Sequence, residues 1–329
     1  MKILLVSNEF PQPGKAGNPI ITRLKAALES DNRVKSVVFC PFTNRISDFR
    51  NIRKEAKDSD IIHIQFGGLY AFMVWMCLIG ISKPKLLTFH GTDIHAKAIK
   101  TSKSYLIKLK IWLSQKASFI SILLFDKLGF VSDTLIPYVP KRILRKCKDK
   151  IFVQPLGVDY GLFKPTKKEE SLKTLGIEDY KYALFSDISG TPIKRRDIAE
   201  AIVEKLGGEY KLLIMCKVKP EMVPIYINAC DFVLLTSDEE GSPNITREAM
   251  SLNKRVFSVD IGDVKQQISG LQNSAIISRN PDEAANTIKS KLGMPYTDDT
   301  RESLREKIDF VNIGCQLVDI YDDLLQKKT

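Results

Sequence analysis

The sequence predicts an α/β protein made of two doubly wound parallel-sheet domains, and three observations carry that prediction. Short, almost uninterrupted apolar and β-branched runs alternate with segments of helix length, as strands covered on both faces require. The alternation comes in two blocks on either side of PLGVDYGLFKPTKKEE (155–170), a stretch of Pro, Gly and charge with little periodicity. Charge divides at the same place. Residues 1–150 hold 26 Lys/Arg against 11 Asp/Glu, a net of +15, and residues 151–329 hold 24 against 28, a net of −4. With 329 residues and about 150 per domain, two domains are expected.

In the first block, strands are expected at 2–7, 34–40, 60–65, 85–89, 127–132 and 150–154. In the second, YALFS, KLLIM, DFVLLT, RVFSVD and SAIIS supply strands at 182–186, 211–215, 231–236, 255–260 and 274–278. Helices are expected at 18–30, 68–80, 96–125, 194–206, 221–230, 244–252 and 281–292, with a helical tail from about 300 to 327. Strand–helix–strand repetition of this kind builds open parallel sheets.

Several classes are disfavoured. No GxGxxG follows the first strand and no GxxxxGK[ST] occurs, which removes most of the case for a dinucleotide oxidoreductase or a P-loop NTPase. The six cysteines are scattered without a CxxC pair, and the three histidines lack i, i+4 spacing, so neither a disulfide framework nor a protein-bound metal is expected. The longest apolar run, Leu69 to Ile81, has 13 residues, where a bilayer span needs roughly 20. MKILLVSNEF reads as a first strand rather than a signal peptide. A soluble or peripheral cytoplasmic protein is expected.

Ligands of open α/β sheets sit beyond the carboxyl ends of the strands. SDEEGSPNITREAM (237–250) occupies such a place, directly after DFVLLT. Ser242, Pro243 and Asn244 favour a helix start there. Free amides at Asn244, Ile245 and Thr246 would then suit a phosphate group. Glu240 just before the helix and Glu248 one turn inside are poor phosphate ligands but good acceptors for sugar hydroxyls on either side of it. The plain alternative is a capped surface helix with two solvated glutamates.

Glu240 and Glu248 lie in an E-G-x-P-x-x-x-x-E-A frame. It resembles the E-x7-E signature of retaining nucleotide-sugar glycosyltransferases, family 4 in particular, whose GT-B fold has two facing Rossmann-like domains. FHGTD (89–93), PLGVDYGLFKP (155–165), Lys194, the run 224–250, VDIGDV (259–264) and QLVDIYDDLL (316–325) extend the resemblance over nearly the whole chain.

The resemblance implies an acceptor-binding domain over 1–160, completed by a helix returning at about 305–329, and a donor-binding domain over 161–304. Glu240 would hold hydroxyls of the transferred sugar, His90 would face that sugar, and Lys194 would stabilise the leaving diphosphate. Glu248 would accept from the ribose hydroxyls. Gly241, Ser242, Pro243, Asn244, Ile245, Thr246, Arg195 and Gly262 would line the donor site, and a loop with Gly14 and Gly17 would approach phosphate and acceptor. No metal or other cofactor is implied. The sequence departs from the family where a Gly-Arg pair is usual, because Ser186 and Asp187 stand there.

The expected activity is therefore hexosyl transfer from a UDP- or GDP-linked sugar to a hydroxyl of a glycan or lipid-linked acceptor, in polysaccharide, glycolipid or cell-surface glycan synthesis. A GT-B nucleotide-sugar epimerase is the alternative. Nucleic-acid binding by the basic half is a further reading, but it accounts for neither Glu240 nor Glu248, and no nucleic-acid partner is expected.

AKAIKTSKSYLIKLKIWLSQK (96–116) carries six lysines among apolar residues, and Lys141 to Lys150 adds a second basic cluster. On a helical wheel Lys97, Lys100, Lys103, Lys108 and Lys110 share a broad arc with Ile107 and Ile111. Docking of the first domain on an anionic membrane surface, at the inner face of the cytoplasmic membrane, is the functional expectation; a solvated lysine-rich helix is the plain one.

Overall fold

The computed structural model describes residues 1–9, 18–43, 45–95, 104–187, 190–297 and 299–327. The chain forms two compact units, Met1–Gly157 with Phe310–Thr329, and Val158–Asp309.

Unit 1 holds a six-stranded parallel sheet in the order β2-β1-β3-β4-β5-β6, formed by β1 (Lys2–Ser7), β2 (Ser36–Pro41), β3 (Ile61–Gln65), β4 (Lys85–Phe89), β5 (Lys127–Phe130) and β6 (Ile151–Val153). The central strands are buried on both faces, which is why they read as unbroken apolar runs. One face is covered by the helices Ile46–Lys57, Gly68–Cys77 and Tyr105–Leu124. The opposite face receives the C-terminal helix Phe310–Gln326, whose Leu317, Val318, Tyr321 and Leu324 pack on Ile3, Leu5, Ile61 and Leu86.

Unit 2 holds a five-stranded parallel sheet in the order β11-β10-β9-β7-β8, formed by β7 (Lys181–Ser186), β8 (Tyr210–Met215), β9 (Phe232–Leu235), β10 (Arg255–Ser258) and β11 (Ala275–Ile276). Every strand expected from sequence is present.

Helices differ more. Ile46–Lys57, Lys141–Cys147 and Lys168–Leu175 form where none was expected. Of these, Ile46–Lys57 buries only Ile52 and Ala56, too narrow a stripe to stand out in the sequence. The tail is two helices, Thr300–Ile308 and Phe310–Gln326, broken at Asp309, whose backbone is extended and bridges to Val158. Nor is 155–170 a bare linker. Val158, Tyr160 and Phe163 are buried in the unit 2 core. Arg301 stacks on the Tyr160 ring at 4.7 Å and donates to the carbonyls of Phe163 and Ser251, both at 2.6 Å.

Candidate functional site

In unit 2 the strand order reverses between β7 and β9: the chain continues from β7 to β8 on one side and from β9 to β10 and β11 on the other. The loops leaving two such neighbours diverge and open a crevice at their carboxyl ends. Lys194 lies on the segment that follows β7, and Glu240 on the loop that follows β9.

The two side chains meet. Lys194 Nζ donates to Glu240 Oε1 at 2.5 Å, and Ser237 Oγ donates to the same oxygen at 3.0 Å. Both charged groups are largely sheltered, with side-chain exposures of 24% and 18%. The segments are also tied through their backbones. Asp238 N–H donates to Ile193 O at 2.8 Å, and Thr236 Oγ1 lies 3.0 and 2.9 Å from the carbonyls of Lys194 and Arg195. Arg279, unremarked in the sequence, donates to the carbonyls of Thr236 and Ser237 and to Asp238. Carbonyl partners leave no spacing pattern, so nothing in the sequence pointed to it.

The helix Asn244–Ser251 begins here with Pro243 as its cap residue. Ser242 does not cap it: its hydroxyl donates to Asp263 Oδ2 at 2.8 Å and accepts from Arg247 Nη2 at 2.6 Å. Thr246 N–H turns back to Pro243 O at 3.3 Å. The expected row of three amides is thereby reduced to Asn244 and Ile245, which helix geometry leaves unpaired. Thr246 Oγ1 is buried without a partner among the described residues. Glu248 is 7% exposed, on the inner side of the same helix.

A buried ion pair lies beneath this turn. Arg247 Nη2 sits 2.9 Å from Asp263 Oδ2, with side chains 4% and 7% exposed. Burial pulls the Arg247 guanidinium below its ordinary range, and Asp263 works in the opposite sense. Gly262, beside Asp263, has φ +53, and a Cβ there would stand 2.6 Å from Gly241 O and 3.2 Å from Glu240 O. Only glycine lets the loop after β10 lie directly against the Glu240–Gly241 backbone.

Arg195 is engaged elsewhere: it takes a left-handed backbone (φ 54) and pairs with Asp197 and Asp238. Arg196 pairs with Glu200. Asp187 is buried, and its Oδ1 has no partner among the described residues.

In unit 1, His90 follows β4. Its Nε2 lies 2.9 Å from Gln65 Oε1, and its ring stacks at 4.0 Å on Phe66, a non-glycine residue at φ 71. Because Gln65 Oε1 is an acceptor, the His90 proton belongs on Nε2. That leaves Nδ1 as an acceptor without a partner among the described residues. Burial pushes the imidazole pKa down to about 3, so the ring is neutral near pH 7. Gln65 Nε2 continues the chain to His63 Nε2 at 2.9 Å, and His63 Nδ1 reaches Tyr321 Oη at 2.6 Å. Asp93 accepts from the amides of Gly67, His90 and Gly91, so it ties together the loops after β3 and β4. A pocket of about 450 Å³, counting its open mouth, lies at the carboxyl ends of the unit 1 strands. Arg23, Gln65, Thr88 and Gln154 are among its lining residues. Gly14 and Gly17 lie outside the described residues.

No family model and no curated protein matches the sequence. Solved structures do. Sucrose-phosphate synthase from Thermosynechococcus elongatus is similar with a TM-score of 0.70 at 15% identity, over 99% of this chain and 99% of that one. Anabaena HepE in complex with UDP is similar with a TM-score of 0.71 at 16% identity, over 98% and 100%. UDP-GlcNAc 2-epimerase from Neisseria meningitidis, bound to UDP-GlcNAc, gives 0.62 at 12% identity, over 99% and 100%. Likeness along the full length of each shows that the chain has the GT-B fold.

Proposed function

We propose that this chain is a retaining glycosyltransferase that moves a sugar from a nucleoside diphosphate sugar to an acceptor hydroxyl. The observation that carries the reading is the meeting of Lys194 and Glu240 at the switch point of unit 2, one helical turn from buried Glu248. The cation and the helix start suit a diphosphate, and the two carboxylates suit the sugar and the ribose on either side of it. Anabaena HepE in complex with UDP and with UDP-glucose is among the structures this chain resembles.

In this reading the amides of Asn244 and Ile245 receive the diphosphate. Glu240 accepts from hydroxyls of the transferred sugar, and Glu248 from the ribose. Gly262 keeps the Glu240 loop at its proper height. As the C1–O bond of the donor breaks, charge builds on the departing diphosphate, and Lys194 stabilises it in a sheltered site. The acceptor hydroxyl forms the new bond to C1 on the face the diphosphate leaves, and its proton passes to a phosphate oxygen of that leaving group. Neutral His90, with Nδ1 free to accept, serves a sugar hydroxyl rather than acting as an acid. The unit 1 pocket beside Gln65 takes the acceptor.

The test is a thermal-shift titration with UDP, GDP and ADP, followed by the matching sugars with and without acceptor. A ligand of the native state raises the melting temperature; indifference to all three nucleotides would defeat the proposal. The resemblance to an epimerase bound to UDP-GlcNAc supports a second reading. Incubating the donor alone separates them, since an epimerase converts it without acceptor and a transferase does not.

A further inference from the structure

The helix Tyr105–Leu124 is inside out. Its buried positions are Ala117, Ser118, Ser121 and Ile122. Ser118 Oγ accepts the Gly68 amide at 2.7 Å, and a Cβ on Gly68 would stand 2.4 Å from Ser114 Oγ. Small and hydroxyl-bearing residues thus form much of the seam with the helix Gly68–Cys77, and most of the bulky side chains before Ile122 are exposed.

Tyr105, Leu106, Leu109, Trp112, Leu113 and Ile120 recur at helical spacing along one exposed stripe, with Tyr105 at 77% and Leu106 at 75% exposure. Leu69 and Met76 on the neighbouring helix, and Ile79 just after it, are exposed as well. Of the seventeen large apolar residues exposed among the described residues, eleven lie on these two helices and that turn. Scattered exposed apolar side chains are ordinary, but a concentration of this kind marks an interaction surface.

Its charge is one-sided. Between Asp60 and Asp126 the sequence has eight lysines and a single acid, Asp93, which is committed to backbone amides. Lys108 and Lys110 border the stripe. Lys116 lies within it, its ammonium 5.5 Å from the centre of the Trp112 ring. The wheel drawn from sequence gave the outer arc to lysines together with Ile107 and Ile111. In the structure, Leu109, Trp112 and Leu113 hold its centre, Ile111 is half-buried, and Lys97, Lys100 and Lys103 lie outside the described residues.

We propose that this face of unit 1 docks on an anionic lipid surface, the apolar stripe entering the headgroup boundary and the lysines meeting lipid phosphates. A second copy of the chain is the poorer occupant, because an isologous pairing would set lysines against lysines with no carboxylate to receive them. No described helix is long and apolar enough to cross a membrane. The proposal stands on this surface alone. Joined to the sugar-transfer reading, it presents the acceptor at a lipid surface.

The experiment is co-sedimentation of the full chain with vesicles of phosphatidylcholine, or of phosphatidylcholine mixed with phosphatidylglycerol, at low salt. Wild type sediments with the mixed vesicles and largely stays in solution with the neutral ones. Leu106→Glu with Leu113→Glu abolishes binding while leaving the melting temperature and the nucleotide-induced shift unchanged, since both positions are exposed. Lys108→Ser with Lys110→Ser weakens binding by roughly fivefold per charge, the equivalent of about 1 kcal/mol each. Wild type remaining in solution with both vesicle types would overturn the proposal, as would undiminished binding of the glutamate variant. So would a dimer of wild type, lost in the glutamate variant, without vesicle binding.

Discussion

Lys194 donates to Glu240 across 2.5 Å, joining the segment after β7 to the loop after β9 at the point where the order of the sheet reverses. Each residue holds the other in place within a sheltered corner, so the two should fail in related ways. Glu240→Gln preserves shape and removes charge, and Lys194→Met removes the cation. Each is expected to lower transfer by about a hundredfold or more, with nucleotide binding affected more by the lysine change. Steady-state turnover with the donor found by thermal shift checks this. Wild-type rates in both variants would remove the pair from the mechanism.

Glu248 asks for a different readout. If its carboxylate receives the ribose hydroxyls, Glu248→Gln should weaken nucleoside diphosphate binding about tenfold, the equivalent of ~1.4 kcal/mol. Calorimetric titration with UDP or GDP measures it. The expected loss falls on the nucleotide as much as on the nucleotide sugar, which separates its role from that of Glu240.

Gly262 is a structural lever on the same site. An alanine there must hold φ near +53 and place its Cβ against Gly241 O. Backbone strain of that kind costs about 1–3 kcal/mol, so Gly262→Ala should lower the melting temperature. Displacement of the Glu240 loop should also lower turnover more than nucleotide affinity. A melting temperature equal to wild type would contradict the close approach.

Acid sensitivity should come from His63 and His90. Burial holds both pKa values down to about 3, against 6.5 unperturbed. Below pH 6.5 the unfolded chain takes up a proton that the native chain refuses, so stability falls as pH drops from 6.5 towards 3 and is fully present above it. At pH 5 the deficit from each residue is about 2 kcal/mol. Denaturant unfolding at pH 7 and pH 5 should show it, and His63→Gln should remove about half of the difference, the share of His90 remaining.

The sheets were legible because parallel strands buried on both faces leave unbroken apolar runs, as in Phe232–Leu235 and Ile3–Val6. Glu240, Glu248 and Lys194 were legible because they stand just beyond such runs in a recognisable frame. The supports of the site were not. Arg279 grips backbone carbonyls, and Arg247 finds Asp263 across a loop, so neither leaves a pattern in the linear sequence. Composition showed that Tyr105–Leu124 mixes lysine with apolar residues. Which face turns outward depended on Gly68 admitting Ser114, a packing fact that no periodicity encodes.

The C-terminal helix has a consequence for how the protein is made. Leu317, Val318 and Tyr321 close the core over Ile3, Leu5 and Leu86, and Tyr321 supplies the partner of His63. While a ribosome is still extending the chain, this face of the unit 1 sheet therefore stays partly uncovered until Leu317 to Leu324 have been made. Meanwhile the intervening unit, whose residues are all available earlier, is free to fold first. Loss of the turns that carry Tyr321 and Leu324 would strip Ile3, Leu5 and Leu86 of part of their cover, a defect felt up to about three hundred residues from where it was written.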